Sequence, residues 1–256
     1  MSCEEFKDGK IYQVHPTGER EAQVLTLGND GGRWESFAYD IRDKNNPSFF
    51  VTEDAQKGAL QRYIPENPDW NQPWDMLHGN GTIDYLMLIP NATNNGGMFV
   101  WTPDKADAMK NAAMYYPESE GIDVNGRELF FVCKNVKILF VLDLDTGTYY
   151  SHTTDHGLFD GQPDQVKTLL SPDKDLLYFT EEGGKDPGIH ARDSMGRYHT
   201  VLESPEYQDE TTGLAFSPNG QFMYVAFQRT GLLFAVWRKD GLSFRAAHLD
   251  IKYHFN

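Results

Sequence analysis

The chain has 256 residues, 39% of them hydrophobic and 13% aromatic, with a formal net charge of −15. That composition excludes a disordered chain and leaves room for one substantial core. The acidic balance argues against nucleic acid or an anionic membrane surface as partner and suits a protein that collects cations, and no run is long enough to span a bilayer.

The N-terminal Met1-Ser-Cys-Glu-Glu lacks the basic and apolar regions of a signal peptide. Residues 10–28 read as two strands, resembling the outer pair of a four-stranded unit. The strands at 36–41, 48–52, 60–64 and 83–88 form a first unit, interrupted by an insertion over 65–82 rich in Pro and Asn. Two sequons, Asn80 with Thr82 and Asn91 with Thr93, fall in exposed segments. Residues 102–116 form the one convincing helix, with Thr102 as N-cap and Pro103 at the first helical position. In the insertion, Trp70-Asn-Gln-Pro-Trp74 is a candidate docking loop.

A second unit follows over 121–154, a third over 165–204 and a fourth over 213–249. Short aromatic and β-branched runs alternate there with turn signals such as Pro172-Asp-Lys-Asp, Met195-Gly, Pro218-Asn-Gly and Lys239-Asp-Gly. A repeat of about 40–45 residues with four strands is the sign of a propeller blade. The expected fold is therefore an all-β, β-propeller chain with four-stranded antiparallel blades, about four complete and part of another, read as one domain over 1–256. Open sheet edges require closure. Either the C-terminal tail supplies strands or the chain is a fragment of a larger six-bladed ring; the fragment is expected, and another chain could complete the ring.

Acids recur near blade starts, and Asp40, Glu120, Asp164 and Glu210 are the candidate metal ligands. The pairs Glu53-Asp54 and Glu181-Glu182, which follow second strands, read either as further metal ligands, Glu53 and Glu182 foremost, or as ordinary turn residues. Carboxylates converging at one channel mouth repel each other, and calcium, with about six to eight oxygen ligands in loose geometry, offsets that cost. Cys3 and Cys133 are the only cysteines, so a thiolate-rich site is disfavoured; Cys133 sits in an apolar run and reads as core. The histidines His152, His156, His190 and His199 read as structural or exposed.

The segments Val51-Thr-Glu-Asp, Ser119-Glu-Gly-Ile, Gln162-Pro-Asp-Gln, Tyr178-Phe-Thr-Glu-Glu-Gly-Gly, Glu210-Thr-Thr-Gly-Leu-Ala-Phe-Ser-Pro-Asn-Gly and Val225-Ala-Phe-Gln-Arg-Thr-Gly occur in this order. As a set, spanning about Lys10 to Phe244, they resemble the PhoX-type alkaline phosphatase family. That resemblance implies a six-bladed propeller with calcium and iron at the channel mouth, cleaving a small phosphate ester, in a secreted, periplasmic or organellar setting. It matches Asp40, Glu120, Asp164 and Glu210 to the family's metal-binding acids. The chain departs from the family where Tyr39 replaces a histidine, where Asp40 is a shortened glutamate, and where no cysteine occupies the iron-binding place. Calcium is thus expected and iron is in doubt. Arg192, Arg197 and Arg229 are the candidates for holding a phosphate. Two other functions stay open: a non-catalytic binding or scaffold propeller, and a calcium-dependent lactonase or esterase.

Overall fold

The computed structural model describes residues 1–155, 159–169 and 176–244. His156, the Pro172-Asp-Lys-Asp turn and most of the final run expected over 243–247 lie outside them. The chain divides into two compact units, one formed by Met1–Val136 with Phe140–Ser151, the other by Lys137–Leu139 with the chain from His152 onward.

In the first unit, β1 (Ser2–Cys3), β3 (Ile11–Gln13) and β4 (Gln23–Val24) form a small sheet, while β2 (Glu5–Gly9) pairs with β5 (Gly32–Asp40). A ten-stranded sheet follows. It contains β5, β6 (Ser48–Glu53), β7 (Gln61–Pro65), β8 (Gly81–Pro90), β9 (Gly96–Thr102), β10 (Ser119–Asn125), β11 (Glu128–Cys133), β12 (Ile138–Asp143) and β13 (Thr148–Thr153). The spatial order is β10-β11-β12-β13-β9-β8-β7-β6-β5-β2. Two four-stranded meanders, β5–β8 and β10–β13, are thus joined at their outer edges by β9, which pairs with both β8 and β13. The sheet curls until β5 and β10 lie alongside each other.

The sequence pattern explains these elements. Leu129-Phe-Phe-Val-Cys133 is buried throughout, as a strand covered on both faces must be. Trp34, fully buried at the start of β5, donates its indole N–H to Gly9 O at 3.0 Å and anchors a core with Ile11, Leu25, Leu27 and Tyr63. The insertion over 65–82 packs back on this core: Trp70 donates to Lys44 O at 2.7 Å and Trp74 to Gln23 Oε1 at 3.1 Å. Arg20 lies over the Trp74 ring, so the expected docking loop is held by its own unit.

The helix α1 (Lys105–Tyr115) begins later than the sequence suggests. Asp104, not Thr102, is the N-cap, accepting from Asp107 N at 3.1 Å, while Thr102 ends β9 and its hydroxyl accepts from Asp104 N. Pro103 therefore stands before the cap. The helix buries Ala108 and Ala112 and covers β8, where Asn111 Oδ1 accepts from Leu88 N at 2.8 Å and Asn111 Nδ2 donates to Leu88 O at 2.9 Å.

In the second unit, β14 (Gln162–Leu169), β15 (Leu176–Glu182), β16 (Gly188–Arg192) and β17 (Tyr198–Glu203) form a four-stranded meander. A three-stranded sheet follows, formed by β18 (Thr211–Phe216), β19 (Phe222–Phe227) and β20 (Leu232–Trp237). The two sheets share a core of Tyr178, Ile189 and Ala191 against Leu214, Met223 and Val225.

Candidate functional site

A β-bulge interrupts the first strand of each meander, at Glu35-Ser36 in β5, Glu120-Gly121 in β10, Asp164-Gln165 in β14 and Gly213-Leu214 in β18. Such a bulge places two residues against one and re-aims a side chain. Opposite it stand Thr52 and Thr180 in two of the four cases. Thr52 Oγ1 accepts from Ser36 N at 3.1 Å, and Thr180 Oγ1 from Gln165 N at 2.8 Å. The register thus fixes an acid, Glu35, Glu120 or Asp164, at the same local place in three meanders.

This changes the sequence assignment. Asp40 does not open its strand; it is the last residue of β5, and Arg42 binds it bidentately at 3.0 and 2.8 Å. The matching acid in β5 is Glu35, which sequence reasoning passed over. Glu210 precedes β18, and its carbonyl accepts from Gln228 N as that of Glu118 accepts from Lys134 N; no acid stands in the β18 bulge. Glu53 and Glu182 end β6 and β15 as half-buried residues. Burial lifts the Glu53 carboxyl above its ordinary range, partly offset by Lys105.

In the first unit, adjacent β5 and β10 bring carboxylate oxygens of Glu35 and Glu120 within 4.8 Å. Asp54, just past β6, joins them through Lys134, just past β11. The Lys134 ammonium lies 2.8 Å from Asp54 Oδ2 and 2.7 Å from Glu120 Oε1. Glu120 is almost wholly buried. Burial first, and then the charges of Glu35 and Asp54, push its carboxyl up to about 9 against the pull of Lys134. Burial pulls the Lys134 ammonium down, but Glu120 and Asp54 outweigh it and hold it above its usual value.

The donors of this group are hard carboxylate oxygens, which fit a calcium-like cation. They do not fit an iron–thiolate centre. Cys133 is fully buried and burial raises its thiol well above the ordinary value, while Cys3 is pushed up to about 12, so both stay protonated, and both are free.

The second unit holds a different arrangement. Glu181, buried at the end of β15, accepts from Gly161 N at 2.7 Å, Gly188 N at 3.1 Å and His190 Nε2 at 2.9 Å. With its lone pairs engaged this way, Glu181 is a structural knot, and His190 takes the structural role expected of it. Asp164, also buried, accepts from Thr180 Oγ1 at 3.2 Å. Of the three candidate arginines, Arg197 is bound to Asp193 at 2.8 Å, Arg192 is half-buried on β16, and Arg229 is exposed after β19.

No family model matches the chain, and no curated protein matches it by sequence. Solved structures do match. The structure of Pseudomonas fluorescens PhoX in complex with vanadate, a transition state analogue, aligns with a TM-score of 0.72 at 13% identity over 93% of this chain. A chain of the nidogen/laminin complex aligns with a TM-score of 0.57 at 13% identity, over 88% of this chain and 68% of its own. The present chain spans 59% of the length of that PhoX chain. At these identities the likeness is one of fold: an all-β chain of the β-propeller type.

Proposed function

We propose that the chain is a calcium-dependent phosphoric monoester hydrolase. The observation that carries this reading is the meeting of Glu35 and Glu120 on the adjacent strands β5 and β10, with the charge of Asp54 beside them, in a fold shared with a vanadate-binding PhoX. Glu35 and Glu120 would hold the cation, with Asp54 as a third oxygen donor. When bound, a hard divalent cation neutralises charge on phosphoryl oxygens as it develops. The protein's own contribution is to fix the donors: the bulges aim Glu35 and Glu120, and Thr52 donates to the Glu120 carbonyl and locks β10 against β6.

The test is metal content by plasma mass spectrometry, followed by hydrolysis of p-nitrophenyl phosphate with and without calcium. Calcium-dependent turnover inhibited by vanadate is expected, with E120Q and E35Q each losing about a hundredfold or more. Turnover that is absent, or indifferent to calcium and to both substitutions, overturns the reading.

One observation favours a second reading. Lys134 already neutralises Glu120 and Asp54, so the group can be stable without a metal. The chain would then be a non-catalytic binding propeller, and dialysed protein would retain no calcium.

A further inference from the structure

Lys134 occupies a place in the repeat that two other meanders fill with a carboxylate. In the second strand, the second residue past the one facing the bulge is Asp54 in the β5–β8 meander, Glu182 in β15 and Phe227 in β19. After β11 it is Lys134, whose backbone N–H is anchored to Glu118 O at 3.3 Å as that of Asp54 is to Arg33 O at 2.8 Å. An ammonium therefore stands where the β5–β8 and β14–β17 meanders offer a carboxylate. Its side chain is only 18% exposed, and its Nζ is within 2.8 Å of two carboxylate oxygens.

We propose that Lys134 is a resident counter-ion that competes with divalent cations for the Glu35–Asp54–Glu120 carboxylates and sets their affinity. This deepens the cation reading above and rests on it. A calcium ion needs direct contact with oxygens at about 2.3–2.6 Å. An ammonium hydrogen-bonded to Asp54 Oδ2 and ion-paired with Glu120 Oε1 at 2.7 Å stands against oxygens that such contact would use. Each oxygen keeps a further lone pair, but an ammonium and a divalent cation side by side repel each other, so calcium binding works against the lysine in its place. Its flexible four-carbon stem lets the charged head swing outward, which a shorter or branched side chain could not do. Without calcium, the same ammonium offsets the repulsion among three acids, and the fold does not depend on a metal.

The experiment is calcium titration calorimetry on the full chain, with thermal melts in chelator. For K134Q the expected result is calcium binding about tenfold or more tighter than wild type, together with a lower Tm in chelator. K134R should restore both the Tm and the weaker affinity, because a guanidinium still competes. E35Q should weaken calcium binding while leaving the Tm in chelator close to that of wild type, since both partners of Lys134 remain. Should K134Q fail to fold, reductive methylation of the wild-type chain gives a second readout: Lys134 should be protected in chelator and modified faster with saturating calcium.

Equal calcium affinity in wild type and K134Q overturns the proposal, as does methylation of Lys134 that calcium does not change. Absence of calcium binding in both proteins overturns it together with the cation reading. Tight calcium binding by K134Q without phosphatase activity in wild type would instead leave the counter-ion role standing and remove only the hydrolase.

Discussion

Asp193 shows how one side chain can organise a turn. It accepts from Met195 N at 3.0 Å, from Arg197 N at 2.9 Å and from Arg197 Nε at 2.8 Å, in the tight link between β16 and β17. Burial works to raise its carboxyl, but the Arg197 and His199 donors outweigh that and hold it below the usual range. A depressed carboxyl stabilises the fold above its unfolded pKa, and that contribution is lost as pH falls through the folded value. D193N should therefore cost about 1 kcal/mol at pH 7 and nothing measurable once wild-type Asp193 is itself protonated in acid. Urea unfolding at both pH values checks the sign. Glu181 is a sterner case. E181A would leave Gly161 N, Gly188 N and His190 without their shared acceptor inside the protein. A loss of about 3–5 kcal/mol is expected in the same assay. Gly161 cannot be altered gently either, because a Cβ there would come within 2.3 Å of Glu182 O.

The strands show what the sequence makes legible. Runs such as Phe222-Met-Tyr-Val-Ala-Phe227, closed by Pro218-Asn-Gly and Arg229-Thr-Gly, announce their ends through turn chemistry, and β19 spans those residues. Strand β9 was not legible, although Met98-Phe-Val-Trp101 is apolar enough. It lies outside the four-strand count, between an Asn-rich turn and the helix, and only its pairing with β8 and β13 gives it a place. The bulges were hidden for a related reason, since a register shift belongs to a pair of strands and not to one. That is why Asp40 was preferred to Glu35, five residues earlier in the same strand. Lys134 was equally hidden, because Asp54 lies 80 residues away in the chain. The helix supplies a direct test of edge coverage. N111A removes both bonds to Leu88 and should cost about 1–3 kcal/mol by thermal or urea unfolding, whereas D104A should cost about 1 kcal/mol through its lost cap.

For the chain as an assembly of charges, −15 spread over 256 residues is a standing repulsion. Ion pairs among the described residues tie up cations locally, as Arg42 does with Asp40 and Asp145, and the net excess remains acidic. Raising sodium chloride from low to near-physiological strength should therefore lift the Tm of calcium-free protein by a few degrees, since screening acts over about 10 Å. A Tm that falls with salt would mean that the ion pairs, and not the repulsion, dominate.

Strand β9 carries a mechanical consequence. By stitching the outer edge of one meander to the outer edge of the next, it makes the two share a seam, with Tyr149 facing Gly97 and Leu88 facing Phe99 across it. A load that peels one meander away must shear that seam, so the pair should yield together in a single rip when pulled, not as two separate events. Native-state hydrogen exchange should show the same coupling, with the amides of β8, β9 and β13 opening in one cooperative step.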